Sequence, residues 1–402
     1  MKHMMVLCLL ALLAAAPPAE AEEVPPPDAA VKARLVPFFE GLRAAEKTDT
    51  AHIARIAWWG DSAIVSDGYT GTVRERLQAR FGDAGPGFIL PTTTFDGYLR
   101  AGVRLLRNNW TAYNVIQGNL SSGLYGIGGI QASSWGGASS TFETQAAPFT
   151  RVEVFYRAFP KAGGIQIFAD DAGSATETHD AEATAPTDQV WRWTAPEGGV
   201  KKVRVRAAGK GETVLYGVAL ERGDNGVVLD AFGLLGMRAR RWLNADAAHI
   251  KAQLAQRAPE LLVLNFGGNE RVDGDLSVAK HLDDMKQVIA FFKAGAPRAA
   301  CLLVGPIAHG ETVKGKVVID PDLKTIYEAQ RKAADEAGCA FFDTLAAMGG
   351  DGAIAAFRKK KLIGGDLSHL NGKGHKVVGG LIADWLLAAY DGWKSEQAAK
   401  AP

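Results

Sequence analysis

Ser62 closes the stretch Trp58-Trp59-Gly60-Asp61-Ser62, where an apolar run ends in a turn of small residues. A serine hydroxyl presented at such a turn acts as a nucleophile when a base takes its proton. The base in turn needs a partner to fix its tautomer and stabilise its cation. Asp366 and His369 in GGDLSHLNG supply both groups from one short segment. Gly236 in FGLLGMRARRW and Asn269 in LNFGGNE add a glycine N–H and a side-chain amide. Those are the donor types that hold the oxyanion of a tetrahedral intermediate. Together the four pieces describe acyl transfer through a serine ester.

Each piece also has a plainer explanation. Ser62 caps a helix or bonds its own backbone. The Asp366–His369 pair is a surface turn, Gly236 a helix-entry turn and Asn269 a loop amide. His375 in GKGH competes with His369, although it lies nearer the last helix, where a capping or packed role fits better. In FGLLG, Gly236 is preferred because it leads directly into the next helix, and Gly233 is the alternative.

The elements that would position these residues follow from periodicity. IARIAWW reads as a buried strand. After Ser62, apolar Val73, Leu77 and Phe81 recur every four residues and Gly82 follows as a stop, which predicts an amphipathic helix. A helical pattern spans Val31–Ala45. Strands GVVLDAFG, ELLVLNFGG, AACLLVGPI and CAFFDT alternate with helices, one bearing Leu282, Met285, Ile289 and Phe292, one around Lys324–Ala337 and one near Lys376–Tyr390. This alternation predicts a parallel sheet covered on both faces. Each of the four candidate pieces then falls after a strand or before the last helix, at the carboxyl edge where open α/β sheets bind ligands.

Between about Pro91 and Gly226 the texture changes to short alternating runs such as RVEVFYRAF, VWRWTA and KKVRVRAA, with DDAG, PEGG and GKGE as turns. An inserted all-β sandwich is expected there. Its Trp110, Trp135, Trp191 and Trp193 serve either as core aromatics or as platforms for sugar rings. GKGET lacks the spacing of a phosphate loop, and no metal-binding histidine pattern occurs among the eight histidines.

The chain has 402 residues, 47% of them apolar and 22% charged, with a formal net charge of +1. Those values fit a soluble globular protein and give no electrostatic reason to expect nucleic acid or an anionic membrane as partner. MKHMM, VLCLLALLAAA and Ala19-Glu20-Ala21 form the n-region, apolar core and cleavage site of a secretory signal, removed after Ala21. Cys301 and Cys339 then remain, each at the start of an apolar run. They are either bridged or two buried thiols.

Taken in order, Gly-Asp-Ser near the start, a glycine turn, Gly-x-Asn-acid at Gly267–Glu270 and Asp-x-x-His near the end resemble the blocks of the SGNH (GDSL-type) hydrolases. The resemblance covers about 50–91 and 226–390. A secreted chain with a β-rich insert between the serine and glycine blocks, and GDAGPGF after its first helix, is similar in architecture to the peptidoglycan O-acetylesterases. It implies a three-layer, flavodoxin-like parallel sheet interrupted by an all-β sandwich. The organisation expected is a signal at 1–21, hydrolase segments at 22–91 and 226–390, a carbohydrate-binding-module-like insert at 92–225 and a polar, frayed tail at 391–402. It further implies Ser62 as nucleophile, His369 as base and Asp366 as its partner, with Ser62 N–H, Gly236 N–H and Asn269 around the oxyanion. No metal or nucleotide cofactor is called for. The expected activity is a secreted or periplasmic esterase acting on an O-acetylated polysaccharide. An O-acetyltransferase using the same triad, or a non-catalytic polysaccharide-binding protein, are the alternatives.

Overall fold

A computed structural model describes residues 27–47 and 50–400. The expected signal segment at 1–21 lies outside them. IARIAWW is the middle of β1 (His52–Gly60), and it shows no alternation because both faces are covered. Trp58 projects to one side beside Tyr69, while Trp59 stacks on Phe292 on the other with ring centroids 4.1 Å apart. Four more strands complete the sheet: β2 (Asn225–Gly233), β3 (Leu261–Asn265), β4 (Ala300–Val304) and β5 (Ala340–Phe342). All are parallel, in the order β2-β1-β3-β4-β5, the flavodoxin-like arrangement expected.

Helices fill both outer layers. On the Trp58 side pack α1 (Val36–Ala45), α2 (Ser62–Val65), α3 (Gly68–Phe81) and α7 (Gly372–Lys400). On the Trp59 side lie α4 (Ala247–Arg257), α5 (Val278–Lys293) and α6 (Asp322–Ala337). The predicted apolar stripes hold: Val73, Leu77 and Phe81 are buried in α3, and Met285, Ile289 and Phe292 in α5.

The sequence between α3 and β2 builds two antiparallel sheets. One pairs Thr187–Thr194, Arg151–Ala158, Thr213–Glu221, Ile130–Ser134 and Thr111–Asn114, with Gly87–Ile89 alongside Thr213–Glu221. The other pairs Val103–Asn108, Ser139–Thr144, Lys202–Ala207, Ile165–Ala169 and Glu177–His179. Their core is continuous with one face of the parallel sheet, since Phe88, Phe155 and Tyr216 share a buried cluster with Trp59 and Phe232. Trp191 and Trp193 are core residues, Trp110 donates to Ser140 Oγ at 2.9 Å, and Trp135 is 76% exposed.

Several local expectations are corrected. The helix after Ser62 is broken at Asp67, which adopts a left-handed conformation (φ 53°). Its carboxylate there accepts from Arg74, Thr70 and the Ala101 N–H, so buried hydrogen bonds hold the break in place. The pattern at Val31–Ala45 is likewise split at Leu35, ahead of Pro37, into Ala29–Arg34 and α1. The last helix starts earlier and ends later than Lys376–Tyr390. Residues 391–400, expected to fray, continue it because Trp393 packs on Phe39 and Tyr390, and Lys394 and Glu396 pair with Glu46 and Lys32. Cys301 and Cys339, at adjacent strands β4 and β5, are joined as a disulfide.

Candidate active site

β1, β2 and β3 end in line, because Gly60 pairs with both Gly233 and Asn265. The strand order reverses between β1 and β3, and that reversal opens a crevice at their carboxyl ends. Ser62 opens α2 at this point. Asp61 caps the short helix, its Oδ1 accepting from Ala63 N–H at 2.9 Å. Gly233 lets α2 approach the sheet, since a Cβ there would lie 2.5 Å from Val65 N. Its requirement is therefore one of packing.

His369 reaches the serine from the segment before α7. Ser62 Oγ lies 3.1 Å from His369 Nε2, and His369 Nδ1 lies 2.6 Å from Asp366 Oδ2. The Asp366 contact favours the Nδ1–H tautomer, which turns the Nε2 lone pair toward the hydroxyl. The loop holds this geometry with its own backbone. Asp366 Oδ1 accepts from Ser368 and His369 N–H at 3.1 Å, and Gly364 N–H donates to His369 C=O at 2.7 Å. Asn371 then caps α7 by accepting from Lys373 and Gly374 N–H. Partial burial works to raise the Asp366 pKa, but the hydrogen bonds from His369 and Ser368 prevail and hold it below the ordinary carboxylate range.

Asn269 lines the same pocket, a space of about 70 Å³ bounded also by Ser62, His369, Gly268, Arg271 and His309. Its Nδ2 donates to Met237 C=O at 3.0 Å, so it is tied to the turn that carries Gly236. An amide nitrogen has two protons, and the second is left for another acceptor. Gly236 sits in that turn with φ 77°, and a Cβ there would meet nothing within 4 Å. Among the described residues neither Ser62 N–H nor Gly236 N–H has a hydrogen-bond acceptor. His375 is not part of the cluster. It packs on Tyr69, ring centroids 5.8 Å apart, and burial lowers its pKa.

Several polar residues around Ser62 escaped the sequence reading. Asp61 is buried, and burial pushes its carboxyl up to about 6. Glu270 is pushed up to about 7, by burial first and by the Asp61 charge as well. It accepts from Ala239 N–H at 2.7 Å and Gly267 N–H at 3.0 Å, so it shapes the turn that presents Asn269. Its position directly after Asn269 was the available signal. His309 is lowered to about 3, chiefly by burial, and its Nδ1 has no partner. Nothing in its sequence neighbourhood distinguishes it. Asn265 accepts a hydrogen bond from Tyr69 and donates to Val304 C=O at 2.9 Å, locking β3 to α3 and β4.

Residues 198–377 match the GDSL-like lipase/acylhydrolase family model. That stretch contains Gly236, Asn269, Asp366 and His369, while Ser62 lies before it. No curated protein matches the chain. A solved peptidoglycan O-acetylesterase structure superposes with a TM-score of 0.76 at 21% identity, covering 89% of this chain and 96% of that one. At that identity the likeness establishes a shared fold. A lipase/acylhydrolase from Enterococcus faecalis (16% identity, 40% of this chain and 75% of that one, TM-score 0.31) overlaps too little to carry an argument. The same holds for the acetyl xylan esterase AlAXEase (20%, 39% and 80%, TM-score 0.31). Residues 198–377 thus resemble the GDSL-like lipase/acylhydrolase family, and the chain shares its fold with the superposed O-acetylesterase structure.

Proposed function

We propose that the protein is an exported serine esterase that removes O-acetyl groups from a cell-envelope polysaccharide such as peptidoglycan. Ser62 Oγ attacks the ester carbonyl while His369 Nε2 takes its proton, and Asp366 stabilises the resulting imidazolium. Negative charge on the carbonyl oxygen is met by Ser62 N–H, Gly236 N–H and the free Asn269 amide proton. Collapse of the tetrahedral intermediate breaks the C–O bond to the sugar, and His369 returns the proton to the leaving alkoxide. A water deprotonated by the same imidazole then attacks the acetyl-serine. Acetate leaves, and Ser62 regains its proton.

The observation that carries this reading is the unbroken contact from Ser62 Oγ through His369 to Asp366, at 3.1 and 2.6 Å. The space of about 70 Å³ beside Ser62 suits an acetyl group better than a long acyl chain. Acetate release from O-acetylated peptidoglycan and from O-acetylated xylan tests the function. Ser62→Ala is expected to lower release by roughly 10⁴-fold or more, with an unchanged melting temperature. A folded Ser62→Ala protein that remains active would end the assignment.

A further inference from the structure

A cleft of about 730 Å³ lies apart from the pocket at Ser62. It follows α3, with lining residues from Ser66 before the helix to Asp83 and Pro86 beyond it. A helix of 14 residues is about 21 Å long, so the cleft is an extended groove rather than a hole. Its volume falls within the range of roughly 300–1,000 Å³ in which proteins bury ligands.

Two independent parts of the chain form its banks. One is α3 together with Gly372 and Lys376 at the start of α7. The other is Leu99, Ala101, Gly102, Val103, Thr144 and Ala146 from the β insert. The insert bank is tied to the nucleophile turn through the backbone. Leu99 N–H donates to Val65 C=O, the last residue of α2, at 3.1 Å. Ala101 N–H donates to Asp67 Oδ2 at 2.9 Å, and Ala101 C=O accepts from Arg74 Nη2 at 3.2 Å. The near end of the groove is likewise continuous with the catalytic segment. Leu370 and Gly372, one and three residues after His369, line it.

The lining chemistry narrows the occupant. Fixed charges in the wall are neutralised within it: Arg74 pairs with Asp67, and Arg222 with Asp83. Exposed Glu75 and Lys376 carry opposite signs. Such a groove offers no site for a strongly charged polymer. Half-buried Thr72 supplies a hydroxyl, while Leu99, 56% exposed, and half-buried Val103 supply apolar surface. Sugar rings present both kinds of face, with hydroxyls at their edges and C–H groups above and below.

We propose that this groove holds the glycan strand of the substrate, running from Ser62 along α3 and gripped by the insert on its other side. The proposal rests on the esterase reading above and assigns the insert's Leu99–Val103 segment to substrate binding. The acetyl group reacts at Ser62 while neighbouring sugars of the same strand occupy the groove. A small ester does not reach it.

The test compares kcat/KM for acetate release from O-acetylated peptidoglycan or O-acetylated xylan with kcat/KM for p-nitrophenyl acetate. Gly372→Trp and Glu75→Trp obstruct the groove at two places. Gly372 has no positive φ, and a Cβ there meets nothing within 4 Å. Glu75 is an exposed helical position. Arg76→Trp, on α3 but outside the groove, is the control. The ratio of polymer to small-ester kcat/KM is expected to fall about tenfold or more in both groove variants and to stay level in the control. Whichever polymer shows the fall identifies the strand. An unchanged ratio for both polymers in two folded groove variants overturns the proposal. Hydrolysis of no ester by the wild-type protein would instead count against the esterase reading. In that case co-sedimentation of the protein with insoluble peptidoglycan or xylan, with and without Glu75→Trp, still reads the groove, and equal binding by both proteins overturns it.

Discussion

Asn269 has one amide proton engaged by Met237 C=O at 3.0 Å and a second directed elsewhere, which sets the size of its expected effect. Asn269→Ala is predicted to lower kcat by roughly a hundredfold or more, the loss measured when one oxyanion donor is removed. Equal kcat in the variant would remove Asn269 from the site. Buried histidines make a separate prediction. Burial lowers His281 to about 4 and His309 to about 3, whereas the unfolded chain titrates near 6.5. With folded values depressed, their contribution is fully present above about pH 6.5 and is lost as pH falls toward 4 and 3. Asp61 and Glu270 act in the opposite sense. Their folded values are raised to about 6 and about 7, so their contribution is present at low pH and is lost as pH rises through those values. His281→Gln should flatten the rise of unfolding free energy between about pH 4 and 6.5 by on the order of 2 kcal/mol. Urea titrations across that range measure it, and an unaltered slope would count against a neutral buried imidazole.

At the scale of elements, β5 is a three-residue strand at the edge of the sheet, paired only with β4. The Cys301–Cys339 bridge fixes that edge and closes a loop with a sequence separation of 38. Replacing both cysteines with serine should reduce stability by about 2–4 kcal/mol, most of it through the greater freedom of the unfolded chain. The urea midpoint with and without reductant reads this, and a midpoint that ignores reductant would show that the bridge contributes nothing. The Asp366–His369 segment should hold its shape in that variant, because its restraints are local: the Asp366 hydrogen bonds and the Asn371 cap.

Across the whole molecule, the insert and the α/β part are joined by buried charge as well as by a shared core. Arg257 on α4 donates to Asp230 on β2 at 2.7 Å and to Glu221 of the insert at 2.6 Å, and Arg55 of β1 reaches Glu221 at 2.8 Å. Arg257, Asp230 and Glu221 are almost wholly buried. Arg257→Met would leave two buried carboxylates short of their partner, at about 3–5 kcal/mol. Chemical denaturation followed by tryptophan fluorescence and by far-ultraviolet dichroism should show one transition at a lower midpoint. An unshifted midpoint would mean that the cluster is replaceable by Met.

Much of this was legible in the primary structure. Alternating strands and helices, the two-faced burial of IARIAWW and the α3 stripe all follow from periodicity, which reports local burial directly. The residue types at 62, 366 and 369 carried their chemistry before any fold was known. What distance along the chain conceals is convergence. The parallel register aligns Gly60 with Gly233 and Asn265, and the segment before α7 brings a histidine 307 residues away within 3.1 Å of Ser62. His309, Glu270 and Asp61 went unread because their state depends on burial, a property of the assembled interior. Gly236 is preferred over Gly233 from the sequence, and only packing against Val65 shows the separate requirement for glycine at 233. The tail residues 391–400 read as frayed because their polar character hid the ion pairs to Glu46 and Lys32, more than 340 residues away. Composition and spacing determined which groups the protein has for the proposed acyl transfer. The tertiary structure decided which of them meet and which are buried, because both depend on contacts between segments far apart in sequence.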